Sequence, residues 1–272
     1  MPSVTELLPL IALLLATGAF AGVVAGLLGV GGGIILVPVF FYVFTVAGYT
    51  SDELMRVCLA TSLATIIVTS ARSVASHHKK SAVEWGILKS WGPGIAIGAV
   101  IGVWAVGELD SSTLQLIFGI LGCVIAAYFA FGKSDWTLTK TMPTGITRAI
   151  LSPLLGGVSV LMGIGGGSLG VPLLTLSNIP IHRAVATAAG FGILIAVPSV
   201  LGFVVQSPDA TPPFTIGYVN IPAFLIVIAM TLITAPMGAK LAHAMPVRPL
   251  RMVFAVFLLI MALNMLRAGL GA

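Results

Sequence analysis

Long apolar stretches, separated by short polar intervals, run along the whole chain. A helix that spans a bilayer needs about 20 mostly apolar residues. Eight stretches are about this long: residues 8–29, 56–77, 86–107, 113–132, 148–163, 184–205, 218–243 and 250–270. The fifth of them extends into the glycine cluster that follows it. Two further stretches, 34–47 and 168–177, are apolar but clearly shorter. The pattern predicts an all-α polytopic membrane protein with about ten transmembrane segments.

The composition supports this class and the lipid bilayer as its environment. Hydrophobic residues make up 58% of the 272 residues and charged residues 8%, whereas a soluble domain carries about 25% charged residues. The net charge of +5 is therefore interpreted as a topology signal, and no nucleic-acid partner is expected. Residues 1–7 contain no Lys or Arg, so the first apolar stretch is expected to be a retained span and not a cleaved signal.

The basic residues distinguish two topologies. If all ten segments cross, eleven of the 13 basic residues fall on one side: Arg72, Lys79, Lys80, Lys89, Lys133, Lys140, Arg148, Arg183, Lys240, Arg248 and Arg251. Only Arg56 and Arg267 fall on the other side. If the two short segments dip into the membrane and return, the division is far more even. Because cytoplasmic loops are rich in Lys and Arg, we expect ten crossings of the cell inner membrane, with both termini on the extracytoplasmic side.

A glycine motif occurs twice and divides the chain into two repeats. Gly29–Gly33 and Gly163–Gly167 both read G-x-G-G-G and are both followed by x-x-x-V-P. The predicted repeats are residues 1–134 and 135–272, within one integral membrane domain. Since each repeat contains five crossings, the second is predicted to lie upside down relative to the first, as in many secondary transporters.

The short segments place these glycines at membrane depth. Segment 34–47 spans only about 20 Å at 1.5 Å per residue, against a hydrocarbon core of about 30 Å, so its N-terminal end is expected inside the membrane. The same argument applies to 168–177 from the opposite side. Helix N-termini carry a partial positive charge, and glycines let an anion approach their N–H groups. We therefore predict a midplane anion site formed by Gly31, Gly32, Gly33, Ile34, Gly165, Gly166, Gly167 and Ser168.

Hydroxyl side chains follow each short segment. Thr61, Ser62 and Thr187 lie one to two turns inside the third and eighth predicted crossings. These hydroxyls are candidates to bind an oxyanion. The alternative is that each one bonds to its own helix backbone.

Cationic side chains are predicted at the two mouths of the path. Arg56 would lie at the outer mouth, and His182 with Arg183 at the inner mouth. Cations in these positions would raise the local concentration of an anion. Snorkelling at a helix end explains a single Arg equally well.

Glycines also serve close helix packing, which is the alternative for the two clusters. Gly18, Gly22 and Gly26, like Gly94, Gly98 and Gly102, are spaced by four and are interpreted as packing faces. Three consecutive glycines fall on different faces of a helix, which favours the anion site for the clusters. Because the spaced glycines could also join two copies of the chain, a homodimer stays open.

The acidic residues bear on the substrate class. All eight lie in loops or at segment ends: Glu6, Asp52, Glu53, Glu84, Glu108, Asp110, Asp135 and Asp209. Cation carriers usually keep carboxylates within the membrane, so a cation substrate is disfavoured. The chain also has no Ser/His/Asp or H-E-x-x-H pattern, and we expect no enzymatic activity, no metal and no cofactor.

The duplicated motif, each copy followed by an Ala-Thr-Ser or Ala-Thr-Ala helix, resembles the TauE/SafE sulfite-exporter family, also called the TSUP family. The resemblance covers nearly the whole chain. It implies a carrier of sulfite, thiosulfate, sulfonates such as sulfoacetate, or other organic anions. Carried over, the family's glycine regions map to Gly31–Gly33 and Gly165–Gly167, and its Ala-Thr-Ser positions to residues 60–62. The second copy departs at Ala188, where Ser would be the symmetric choice.

These observations predict a transporter of small sulfur-containing anions that works by alternating access. The anion, its expected partner, would be held near the midplane by the N-termini of the two short helices. Two alternatives stay open: an anion channel built on the same site, and a non-transporting membrane partner of a sulfur-metabolism complex.

Overall fold

The computed structural model describes residues 4–28, 32–132, 137–244 and 247–271. This part of the chain forms ten α-helices and a two-stranded antiparallel hairpin: α1 (Val4–Leu28), α2 (Gly33–Val46), α3 (Leu54–His78), α4 (Trp85–Glu108), α5 (Ser111–Phe131), α6 (Gly145–Leu161), α7 (Gly166–Leu176), α8 (Ile181–Val204), β1 (Thr215–Ile216), β2 (Val219–Asn220), α9 (Ile221–Ala244) and α10 (Val247–Gly269).

Seven of these helices are long and apolar enough to cross a membrane, namely α1, α3, α4, α5, α8, α9 and α10. The protein is therefore an all-α, multi-pass membrane protein, as predicted. The two short apolar stretches form α2 and α7, of 14 and 11 residues. The stretch expected at 148–163 forms α6, which has 17 residues. The hairpin was not predicted, because its few residues merge with the start of the apolar segment that becomes α9.

The two short helices end in the same way. After α2, Gly48 takes a φ of +90°, and the N–H of Tyr49 donates to the Phe44 carbonyl. After α7, Asn178 takes a φ of +63°, and the next N–H donates to the Leu174 carbonyl. A left-handed residue followed by such a long return bond is a common helix C-cap. Both short helices thus stop at a defined residue and turn directly into the next long helix.

Helices of the two halves pack on one another in matching pairs. The first helix of each half lies against the fourth helix of the other, so α1 packs on α9 and α6 packs on α4. The third helices, α3 and α8, pack together, as do the fifth helices, α5 and α10. The same set of contacts is therefore made from both halves.

Small residues bring the paired helices close. Gly98 of α4 lies against the Pro153 carbonyl of α6, and Gly22 of α1 lies against the backbone of Thr231 in α9. In both places a Cβ atom would overlap the neighbouring helix. The packing interpretation of the spaced glycines is confirmed, and close contact of this kind is how helices associate where lipid offers no hydrophobic driving force.

The loops gather at two opposite ends of the helices. At one end, which we call the first face, the loops after α2, α4 and α8 meet: the Ser111 N–H donates to the Asp52 carbonyl, and the Ser51 hydroxyl donates to the Ala210 carbonyl. At the other end, the second face, the Leu138 N–H donates to the Leu176 carbonyl at the end of α7. The short helices α2 and α7 therefore run to opposite faces.

Candidate substrate-binding site

The two glycine clusters meet at the centre of the molecule. Among the seven long helices, α3 and α8 are the most deeply buried, and the short helices start against them. Gly33, the first residue of α2, lies so close to the Gly163 carbonyl that an added Cβ would stand 2.7 Å from that oxygen. Gly166, the first residue of α7, lies against the Ala188 carbonyl of α8. The start of α2 and the chain leading into α7 are thus neighbours.

The backbone at this junction requires glycine. Gly32 precedes α2 with a φ of +72°, and Gly163 follows α6 with a φ of +60°. At Gly163 there is also no room for a side chain, because a Cβ would approach Val37 and Leu59 at 2.7 and 2.9 Å. A Cβ atom added to Gly165 would stand 3.1 Å from the side chain of Ile66 in α3. The glycines therefore allow the start of α2, the end of α6 and α3 to pack closely at this junction.

Neither short helix is capped by a side chain at its N-terminus. The first-turn N–H groups of a helix have no intrahelical acceptor, so they are available to a ligand. Gly33, Ile34, Gly166, Gly167 and Ser168 are all buried. The Ser168 hydroxyl is buried and has no hydrogen-bond partner among the described residues.

Two helix N-termini with their positive dipole ends thus lie in the protein interior, as an anion site requires. Gly31, which was predicted to belong to this site, lies outside the described residues.

The three predicted hydroxyls all make bonds to other segments. The Ser62 hydroxyl donates to the Gly163 carbonyl at 2.7 Å. The Thr61 hydroxyl oxygen accepts the N–H of Asn220 at 3.0 Å. The Thr187 hydroxyl oxygen accepts the backbone N–H of Glu84 at 3.0 Å. All three bonds therefore join the two halves of the chain, and the Ser62 bond lies at the glycine junction.

The predicted mouth residue Arg56 lies at the first face. Its guanidinium donates to the Glu53 carboxylate at 3.4 Å, to the Tyr218 hydroxyl at 3.2 Å and to the Leu109 carbonyl at 3.1 Å. The Tyr218 hydroxyl in turn donates to Glu53 at 2.6 Å. Arg56 is thus part of a polar cluster and does not project freely toward an incoming anion.

The predicted mouth residues His182 and Arg183 lie at the second face, and both are exposed. Arg183 forms an ion pair with Glu84, with 2.9 Å between nitrogen and oxygen. Arg56 and Arg183 therefore lie at opposite faces of the described structure, and each of these two arginines pairs with a carboxylate.

The first-face cluster shifts the protonation of its members. Partial burial alone would raise the pKa of Glu53, but hydrogen bonds from Tyr218 and from the Ala210 and Asp209 N–H groups, together with the Arg56 charge, lower the pKa below its ordinary value. Burial and the bond to Glu53 raise the pKa of Tyr218. Both shifts favour a carboxylate that accepts a hydrogen bond from a neutral phenol.

Sequence reasoning missed the partners in these clusters. Glu53 and Glu84 were assigned only to loops, and Asn220 and Tyr218 were not singled out. Asn220 had a detectable signal, since Asn directly before an apolar run is typical of a helix N-cap, and its side chain accepts the N–H of Ala223. Apart from the ion pair between Glu53 and Arg56, the contacts of Glu53 and Glu84 join residues far apart in the chain, which no local pattern indicates.

A groove elsewhere in the molecule is a poorer candidate for an anion site. An open groove of about 330 Å³ lies between α3, α8 and α9, and its lining is entirely apolar, so it offers no donor to an anion. Within the described ranges, no group of three or more His, Cys, Asp or Glu side chains is placed to hold a metal ion.

Comparison with known proteins identifies the family. The family model for the sulfite exporter TauE/SafE matches residues 14–265. The chain belongs to the TauE/SafE family. The resemblance read from the two glycine motifs is confirmed, and the protein is a member of a membrane transporter family.

Several TauE/SafE relatives match over nearly their full length. A probable membrane transporter protein of Haemophilus influenzae is 34% identical over 258 residues, which cover 94% of this chain and 97% of the relative. One from Methanocaldococcus jannaschii is 26% identical and covers 96% and 97%. The probable membrane transporter protein YunE of Bacillus subtilis is also 26% identical, with 95% and 98% covered. No solved structure matches the chain.

Proposed function

We propose that this TauE/SafE member carries a small sulfur-containing anion, such as sulfite, thiosulfate or a sulfonate like sulfoacetate, across the cell inner membrane by alternating access. The observation that carries the proposal is the burial of two short-helix N-termini beside α3 and α8, with the start of α2 lying against Gly163, which leads into α7. Backbone N–H groups and helix dipoles bind anions without needing a basic side chain. The family name supports a sulfur oxyanion as the first substrate to test.

The anion would be bound mainly by backbone amides. In this proposal the amides of residues 31–34 and 165–168 surround it, and the Ser168 hydroxyl donates to it. The Ser62 hydroxyl, now bonded to the Gly163 carbonyl, would turn to the substrate when the junction opens. Thr61 and Thr187 would change partners as the halves move.

The proposed transport cycle uses an inverted repeat of two five-segment halves, residues 1–134 and 135–272, with all ten segments crossing. The matching helix pairs between the halves support it, as does the course of α2 and α7 to opposite faces. Eleven of the 13 basic residues then lie on the cytoplasmic side, which makes the second face cytoplasmic and the termini extracytoplasmic. One half would rock against the other around the fixed site.

The electrical driving force would favour export. Moving one negative charge outward across a membrane that is negative inside releases about 2.3 kcal/mol per 100 mV. The acidic residues of the described ranges lie in loops or at helix ends, so no buried carboxylate is available to bind a coupling cation. We therefore propose transport driven by the anion gradient and the membrane potential.

The proposal is tested first by ligand binding. Purified protein in detergent is heated with sulfite, thiosulfate, sulfate, sulfoacetate, taurine, chloride or acetate at one ionic strength. A bound substrate should stabilise the fold by about 2.7 kcal/mol at a hundred times its dissociation constant. Equal melting curves for all seven compounds would contradict the proposed site.

Flux in proteoliposomes then separates the remaining mechanisms. A carrier should show saturable uptake that is accelerated by unlabelled substrate on the opposite side. Unitary currents without counterflow would indicate a channel. Binding and flux both absent, with another protein that co-purifies tightly, would indicate a non-transporting partner.

A further inference from the structure

Two polar clusters outside the anion site join the two halves of the chain, one at each face. We propose that these clusters are the gates of the transporter and that the first-face gate is the stronger of the two. This inference rests on the alternating-access function proposed above. It assigns opening and closing to particular side chains.

The first-face gate is centred on the Glu53 carboxylate, at the start of α3 in the first half. It accepts the Tyr218 hydroxyl at 2.6 Å, the Asp209 N–H at 3.0 Å and the Ala210 N–H at 3.3 Å. All three donors lie in the connection between α8 and α9, in the second half. Arg56 adds a fourth donor at 3.4 Å. Because so many donors converge on one carboxylate, the cluster ties α3 firmly to the other half.

The second-face gate is centred on Glu84, at the start of α4 in the first half. Its carboxylate pairs with Arg183 at 2.9 Å, and its N–H donates to the Thr187 hydroxyl at 3.0 Å. Both partners belong to α8 in the second half. This gate therefore joins the start of α4 in the first half to α8 in the second half. The first-face gate joins the start of α3 in the first half to the connection between α8 and α9 in the second half.

A threonine bond between the two halves lies at an equivalent position on each side of the proposed anion site. Thr61 directly precedes Ser62, which bonds at the glycine junction, and Thr61 binds the residue before α9. Thr187 directly precedes Ala188, whose carbonyl lies against Gly166, and Thr187 binds the residue before α4. Along its helix, each threonine therefore lies one residue nearer to the adjacent face than the residue that contacts a glycine cluster. A contact that separates the site from the face on both sides is what a gate requires.

The gates differ in strength. The Glu53 side chain is 19% exposed and has four donors, whereas the second-face pair has Arg183 at 49% and Glu84 at 30% exposure. Water and salt weaken an exposed ion pair. We therefore expect the second face to open more readily, and opening of the first face to limit the cycle.

Distance measurements between spin labels test the gates. One label pair at positions 52 and 209 reports the first face, and another at positions 80 and 181 reports the second. All four positions are exposed, and the native cysteines Cys58 and Cys123 are replaced by alanine in the background. The measurement is made without added anion, so it does not depend on which anion is the substrate.

Weakening a gate should open its own face only. Glu53→Ala should raise the population with a long 52–209 distance by roughly threefold or more and leave the 80–181 distance unchanged. Arg183→Gln should do the reverse. Tyr218→Phe is the milder first-face variant, since its ring keeps the contact with Phe203. It provides the test if Glu53→Ala does not fold.

Two exposed residues serve as matched controls. Glu108→Gln at the first face and Lys89→Gln at the second remove a charge outside both gates, and they should move neither distance. Unchanged distances in folded gate variants, or equal changes in the controls, would overturn the gate assignment. Anion binding measured on the same samples separates the two proposals: intact binding with unmoved gates removes only this inference, and moved gates without binding remove only the substrate site.

Discussion

Ile34 and Ser168 occupy the same position in the two copies of the motif, directly after the three glycines. Only the second copy therefore places a hydroxyl in the first turn of its short helix. That hydroxyl is buried and has no partner in the described part of the chain, and a buried hydroxyl is costly unless it is hydrogen-bonded, here by a ligand. The proposed anion site is thus asymmetric, and the additional hydroxyl donor belongs to α7.

Replacing Ser168 by alanine should separate binding from stability. Because the hydroxyl has no partner, we expect no loss of thermal stability in the absence of anion. Affinity for the substrate should fall by about tenfold or more, because a hydrogen bond to a charged group contributes about 1.5 to 3 kcal/mol. Titration of the best anion from the binding panel measures both quantities.

Ser159 provides the matched control, because its hydroxyl is also buried, has no partner within the described ranges and lies in α6. Ser159→Ala should leave affinity unchanged. An equal loss of affinity in both variants would argue against a direct role of Ser168.

Gly163 combines a positive φ with a crowded position, and the two effects can be separated. Gly163→Ala should destabilise the protein by about 2 to 4 kcal/mol, since backbone strain adds to overlap with Val37 and Leu59. Gly145→Ala should cost only about 1 kcal/mol, because Gly145 has a nearly equal φ of +59° and no neighbour within 4 Å. Melting temperatures of the two variants, compared with the unmodified protein, give the difference. Equal values would show that the junction has room for a side chain.

Among the elements, the helices were predictable and their contacts were not. The apolar stretches located all ten helices within a few residues, because membrane spans require a continuous apolar run. The short apolar stretches also indicated that α2 and α7 are shorter than the other helices. The hairpin at 215–220 was missed, since two-residue strands leave no periodic signal. The bond between Thr187 and Glu84 joins residues 103 apart in sequence, and only the packed structure reveals it.

The connection between α8 and α9 should be held to α3 in a pH-dependent way. The folded pKa of Glu53 lies below its ordinary value of 4.5, so its contribution is present above that pH and is lost as pH falls through the folded value. The folded pKa of Tyr218 lies above 10.0, so its contribution is present below that pH and is lost as pH rises through the folded value.

Melting temperature against pH checks both limbs. Glu53→Gln should flatten the acid limb, and Tyr218→Phe should flatten the alkaline limb. A variant whose curve parallels that of the unmodified protein over its own limb would exclude that group as a source of the pH dependence.

At the scale of the whole molecule, each long helix of one half packs against a helix of the other half. The two short helices run to opposite faces. If the membrane lies across the helices, the polypeptide must present its α3–α4 loop and its α8–α9 connection to opposite compartments. These are equivalent loops of the two halves, so their separation is what the proposed inverted repeat predicts. In the alternative topology, α2 and α7 dip into the membrane and return to the side from which they entered. The two loops would then not lie in opposite compartments.

Single cysteines at positions 79 and 209 decide the arrangement, because both side chains are exposed at their respective faces. In a background without Cys58 and Cys123, a membrane-impermeant maleimide added to intact cells should label position 209 and leave position 79 unlabelled. Position 79 should react only after the membrane is permeabilised. Labelling at Glu108→Cys, another exposed first-face position, should follow position 209. Labelling of positions 79 and 209 from the same side would require one of the short helices to turn back, and the inverted repeat would then have to be abandoned.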